Sequence, residues 1–254
     1  MARSPSRKGR AKPSAFSEVR EGAQELINQI IRYFVQRAVK ANEIIFVPAS
    51  IFTRIMGTHD TIELLLDKGH VVDAAVIALT QLELRVQLAW TAQDIKNATQ
   101  WVDHSDLFNT PRKILTTITE LFADEADQTR RLRTIFTHLS GVKHANPVMS
   151  ELAFSGRSTE GGLTLFTRTR IIDDEFSKRF ARLLRDLSIY QLAWCAQVIS
   201  IYVARYAEVD RELRERLRHI GLEHQSSEAA LVEFMEEVTK RQQGFFGLRA
   251  KKQR

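Results

Sequence analysis

One stretch limits the folds open to this chain more than any other. From Leu187 to Ala204 (LSIYQLAWCAQVISIYVA) 18 residues pass without a charge, between Asp186 and Arg205. That length reaches the lower edge of a helical membrane span. However, Ser188, Gln191, Gln197 and Ser200 interrupt it, and charged helical sequence continues on both flanks. The pattern predicts a central helix surrounded by other helices rather than a membrane span. Cys195 sits in its middle and is expected to be packed and inert, because no nearby cation or helix start would lower its pKa.

The rest of the chain supplies the surrounding helices. Only 11 Gly and 5 Pro occur in 254 residues, too few for a loop-rich sandwich. Leu26, Ile27, Ile30, Ile31, Phe34, Val35 and Ala38 recur with helical period, as do Val72, Val76, Leu79, Leu82, Val86 and Trp90. Prolines 48, 111 and 147 are expected to partition the chain. Gly69 is expected to close a helix over 50–68, and Gly141 and Gly221 to close two more. Helices are predicted at about 20–40, 50–68, 71–93, 96–108, 112–122, 126–140, 172–207, 209–220 and 226–243. Near 150–170 the reading changes: Gly161-Gly162 precedes a Thr- and Phe-rich run, which suggests a hairpin. The fold class is therefore mostly all-α, a single helical bundle with a small β-hairpin insertion near 150–170. The helical domain is expected over 16–243, between a disordered basic tail at 1–15 and a basic tail at 244–254.

Charge follows the same division. The formal net charge is +6, yet residues 1–14 carry five basic side chains and no acid, and residues 244–254 carry four more. The body between them holds 28 basic and 31 acidic residues, so its net charge is −3. This argues against a broad nucleic-acid platform built on the fold itself. The tails remain candidates for weak contact with RNA, DNA or anionic lipid, with Phe245 and Phe246 beside the second cluster. The basic N-terminal run has no apolar stretch behind it and does not read as a secretory signal. A single cysteine excludes a disulfide framework and any Cys-based zinc site, and fits a reducing, cytoplasmic setting.

No Gly-rich phosphate loop, nucleophile elbow, zincin motif or EF-hand loop is present, so no cofactor and no metal are expected. Arg133-Thr-Ile-Phe-Thr-His138 has the spacing of the Arg and His of HEPN-type helical ribonucleases, which it resembles. In that family the pair meets on a helix face, usually doubled across a dimer, and promotes metal-independent attack of an RNA 2′-hydroxyl on the neighbouring phosphate. The resemblance would make His138 the proton-exchanging group and Arg133 the charge stabiliser. An Arg and a His with four to six residues between them occur five times, also at Arg54/His59, Arg131/His138, Arg214/His219 and Arg218/His224. In addition, Thr134 stands where the family carries Asn, Asp or His.

Glu83 is a carboxylate on an apolar helix, and Arg85 is the nearest cation to neutralise it. Glu83, Trp90, Leu139, Ser140, His144 and Pro147 together resemble a bacterial helical domain family of unknown function. Its pattern is a Glu followed seven residues on by an aromatic, then a Leu-Ser…His…Pro turn about fifty residues later. The resemblance covers roughly residues 50–150 and implies an all-helical fold. Leu79 occupies the place of that family's Arg. Glu83, Arg85 and His144 are thus candidates for a polar site. The leading expectation is a non-catalytic interaction module of unknown partner, oligomeric through a helix face. The alternative is an RNase of HEPN type, in a toxin or phage-defence setting. A weaker third reading is a peripheral binder of nucleic acid or membrane acting through the tails.

Overall fold

The computed structural model describes residues 14–36, 43–103, 108, 110–144, 154–159, 162–167, 175–205 and 208–252. It is mostly helical, in the order α1 (Ala15–Gln36), α2 (Glu43–Asp67), α3 (Val71–Thr91), α4 (Ile95–Asp103), α5 (Pro111–Leu121), α6 (Ala126–Lys143), β1 (Phe154–Thr159), β2 (Gly162–Thr167), α7 (Glu175–Val203), α8 (Arg211–Glu223) and α9 (Ser227–Lys252). The two strands pair antiparallel, with Phe154 opposite Thr167 and Thr159 opposite Gly162. Residues 1–13, the turn residues Ala145 to Pro147, and Gly161 lie outside the described residues.

Local chemistry explains most helix ends. Gly69 has φ 81°, and its N–H and that of His70 donate to the carbonyls of Leu66 and Leu65. This is a Schellman closure of α2, and it requires a residue without a Cβ penalty in the left-handed region. Thr110 caps α5 by accepting from the Lys113 N–H, with Pro111 in the first turn where no N–H is needed. Asp210 caps α8 through the N–H groups of Glu212 and Leu213.

Three expected breaks are absent. Pro48 lies inside α2, where burial of Ile45, Val47, Ile51 and Phe52 outweighs one missing hydrogen bond. Gly141 lies within α6, which continues so that Val142 reaches the core. Gly221 lies within α8, and a Cβ there would come 3.2 Å from Gln197 Nε2 and 3.4 Å from the Ala193 Cβ. That glycine therefore permits close approach to α7 and does not end a helix. At the far end, the backbone of α9 continues past Gly244 to Lys252.

The buried apolar residues form two clusters, and their membership defines the architecture. One joins α1, α4 and α8 to Ile45–Met56 of α2, Leu84–Ala92 of α3 and Ile189–Val203 of α7. The other joins α5, α6 and α9 to Ile62 and Leu66 of α2, Val71–Leu82 and Val86 of α3, and Phe180–Leu187 of α7. Helices α2, α3 and α7 thus run through both halves. Helices α3 and α7 point the same way, and α2 points the opposite way. The charge-free segment is the buried centre, as its patterning predicts: Leu187, Leu192, Ala193, Cys195, Ala196 and Ile199 are inaccessible to solvent. Among the described residues no helix is long and apolar enough to cross a membrane. Ion pairs tie the outside of the through-helices, with Arg185 reaching Glu63 and Asp67 at 2.7 and 3.1 Å, and Arg20 gripping Asp60.

Candidate functional site

Where the two apolar clusters meet, each through-helix turns a polar residue inward. Helix α2 contributes His59, α3 contributes Gln81 and Arg85, and α7 contributes Ser188 and Gln191. The first turn of α9 adds Ser227 and Glu228. All seven side chains are buried, in a layer between sequences that are otherwise apolar.

Arg85 is its centre. It is 1% exposed, and its Nη1 donates to Glu228 Oε1, itself on a residue 1% exposed. Arg131 of α6 approaches the other carboxylate oxygen at 3.7 Å. The Arg85 guanidinium lies over the Trp194 ring, 4.3 Å from its centroid, and 5.4 Å from the centroid of Tyr190. A desolvated cation held on an indole face gains about 2 kcal/mol. Burial disfavours the charged guanidinium, but Glu228 and smaller contributions from Tyr190 and Cys195 outweigh it, so Arg85 holds its proton more firmly than usual. Burial pushes the Tyr190 hydroxyl up against the opposing pull of Arg85, and pushes the Cys195 thiol up to about 12. Cys195 is therefore a packing residue.

His59 completes the layer on α2. Its ring stacks on Phe16 at 3.6 Å between centroids. Nε2 lies 3.3 Å from the Phe16 carbonyl and Nδ1 lies 2.8 Å from Ser188 Oγ. A carbonyl only accepts, so Nε2 carries the proton and the Ser188 hydroxyl donates to Nδ1. Burial lowers the pKa to about 4 and keeps the ring neutral.

The layer is incompletely satisfied. Among the described residues, Arg85 Nε and Nη2, both amide atoms of Gln81, both of Gln191, and Ser227 Oγ are buried without a hydrogen-bond partner. Each such atom costs about 1–3 kcal/mol. Buried polar atoms of this kind are commonly paired through ordered water.

The residues singled out from sequence are dispersed. Arg85 points into the layer, and its partner is Glu228, not Glu83. Glu83 lies about 160° away from Arg85 on α3, on a half-buried face near the end of α6. Burial raises its pKa, and Lys143 opposes that shift. His144 is exposed at the C-cap of α6, next to that lysine. Arg133 and His138 diverge from the same helix. Arg133 donates from Nη1 to the Leu115 carbonyl at 3.2 Å and to Thr119 Oγ1 at 2.7 Å, both on α5. His138 places Nδ1 2.8 Å from the Thr134 carbonyl of its own helix and Nε2 3.3 Å from Thr239 Oγ1 on α9.

Sequence reasoning missed the pairing of Glu228 with Arg85 and Arg131, and the burial of Gln81 and His59. The available signal was phase: Gln81 and Arg85 stand one turn apart on the core stripe of α3, where apolar residues belong. Trp194 links the layer to the surface, because it also borders an open cleft of about 270 Å³ with Ala92, Phe122, Val198 and Arg205. Compared with known protein families, curated proteins and solved structures, the chain matches none.

Proposed function

We propose that the chain is a non-catalytic helical interaction module, cytoplasmic and bacterial, with one domain over 16–243 and basic termini. The observation that carries this reading is how Arg133 and His138 are used. The step of five residues from one to the other turns a helix through about 140°. One side chain accordingly ties α6 to α5 and the other ties α6 to α9. Both act as structural struts between neighbouring helices, and no hydrogen bond or ion pair joins them. The body's net charge of −3 agrees with a partner other than bulk nucleic acid. Self-association through a helix face, and weak contact of the termini with RNA, DNA or anionic lipid, belong to the same proposal. So does a small hairpin insertion formed by β1 and β2. Kinship with the helical family of unknown function belongs to the proposal as well, on the sequence pattern of Glu83, Trp90, Leu139, Ser140, His144 and Pro147.

A HEPN-like RNase is the second reading, and one observation favours it. Arg133 borders a surface hollow with Arg130, Thr129 and Thr134, a donor-rich setting for a phosphate. The test is incubation of the purified chain with mixed-sequence RNA in EDTA, alongside Arg133→Ala and His138→Ala. The module reading expects no cleavage above background from any of the three. Cleavage by the wild type that both folded variants lose would overturn it.

A further inference from the structure

The open cleft beside Trp194 has a lining that the buried layer does not explain. It encloses about 270 Å³ where the ends of α3, α5 and α7 meet. Phe122, just past α5, reaches the Trp194 ring with 6.1 Å between centroids. Along α7, Trp194, Val198, Ile201, Tyr202 and Arg205 border the cleft at steps of three and four residues, so they share one face. Ile201 is 61% exposed, and this apolar face therefore continues into solvent.

Size and charge narrow the occupant. An apolar cavity of about 150 Å³ takes up one benzene ring, so the cleft has room for a flat system of about two fused rings. It is smaller than the ~300–1,000 Å³ of drug-sized sites. The Phe122 and Trp194 rings are inclined by 54°, so a ring stacked on one meets the other nearer edge-on, and both arrangements are favourable. Among the described residues, Arg205 is the only charged side chain lining the cleft, and no acid forms an ion pair with it. Its exposed guanidinium lies 5.7 Å from the Tyr202 ring centroid. Asp94, next to Gln93 on the rim, is committed to the Lys96 N–H at 3.1 Å. A cation is a poor occupant, because the Arg85 guanidinium already holds one face of Trp194 at 4.3 Å and Arg205 stands at the mouth.

We propose that this cleft binds one small planar aromatic carboxylate, its ring against Trp194 and Phe122 and its anionic group at Arg205. The cleft is open, so the carboxylate keeps water on its outer side and avoids the desolvation cost of a buried charge. A second copy of the chain is a poorer occupant, because the same concave surface on both partners would leave the cleft unfilled. The site does not depend on the module reading and stands if that reading fails.

The test titrates the full chain with naphthoate, naphthylmethanol and naphthylmethyl-trimethylammonium, which share a ring system and differ in charge. The indole ¹⁵N–¹H resonance of Trp194 reports binding, and that of Trp101, which donates to Gln87 outside the cleft, is the control. Naphthoate should displace the Trp194 signal saturably and bind best, the alcohol less well and the ammonium ion least, with Trp101 unmoved. Arg205→Gln should weaken naphthoate binding about three- to fivefold, the worth of an exposed ion pair, and leave the alcohol unchanged. Val198→Trp should fill the cleft and abolish the displacement. Ile201→Glu, at an exposed position, should weaken naphthoate binding by repulsion and serves if the first variant folds poorly. The proposal is overturned if the Trp194 signal stays fixed, if the ammonium ion binds as well as naphthoate, or if these variants, folded, bind naphthoate as the wild type does. Sedimentation equilibrium at the same concentration adds one more such outcome: self-association that Ile201→Glu abolishes would give the cleft to a second copy.

Discussion

His59 illustrates how burial sets the behaviour of a single side chain. Its two ring nitrogens are satisfied by Phe16 and Ser188 in the neutral form, and protonation would force a charge into a site sealed by the Phe16 ring. Burial holds its pKa at about 4, against 6.5 for the unfolded chain. The unfolded state therefore binds more protons between those values. The stabilisation from a neutral His59 is complete above about 6.5 and is lost as pH falls through about 4. The difference amounts to about 3 kcal/mol. Urea unfolding from pH 7.5 to 4 should show this fall for the wild type, on top of what the carboxylates contribute. His59→Gln should show a shallower fall, and identical slopes for the two proteins would refute the assignment. Little in the sequence marked this residue, because a histidine between Thr58 and Asp60 reads as surface until its helical phase is known.

At the scale of the helix, the ends were legible and the interruptions were not. Gly69 follows an apolar run and precedes a fresh one, and its role as a closure is readable because the left-handed position is a local demand. Gly221 and Pro48 answer to tertiary contacts instead: the first accommodates Gln197 and Ala193 of α7, and the second is carried by buried neighbours. No local pattern distinguishes the two cases. Two glycines, Gly57 within α2 and Gly69 just beyond its end, give opposite predictions. Gly69→Ala should destabilise by about 1 kcal/mol, since alanine must adopt φ 81°. Gly57→Ala should stabilise by a similar amount, because the position is exposed, mid-helix and has nothing within 4 Å of a new Cβ. Melting curves of both variants check this, and shifts of the same sign would contradict it.

For the whole molecule, helical class follows from apolar periodicity and scarce glycine and proline, which are local properties. The site does not, since it joins Arg85 to a carboxylate 143 residues away. Glu83 was the nearer partner in sequence, yet α3 turns it to the opposite side, toward Lys143. The layer locks α3, α6, α7 and α9 at the joint between the two apolar halves, so Arg85 and Glu228 are structurally one unit. A double-mutant cycle on Arg85→Met and Glu228→Leu, followed by urea unfolding, tests this most directly. Glu228→Leu leaves the Arg85 charge buried alone, Arg85→Met leaves Glu228 with only the longer contact to Arg131, and each should cost about 3–5 kcal/mol. The double variant should cost less than the two together by about 2 kcal/mol or more, because neither charge is then stranded. Single costs below about 1 kcal/mol that simply add would mean that the two side chains do not meet in a buried layer.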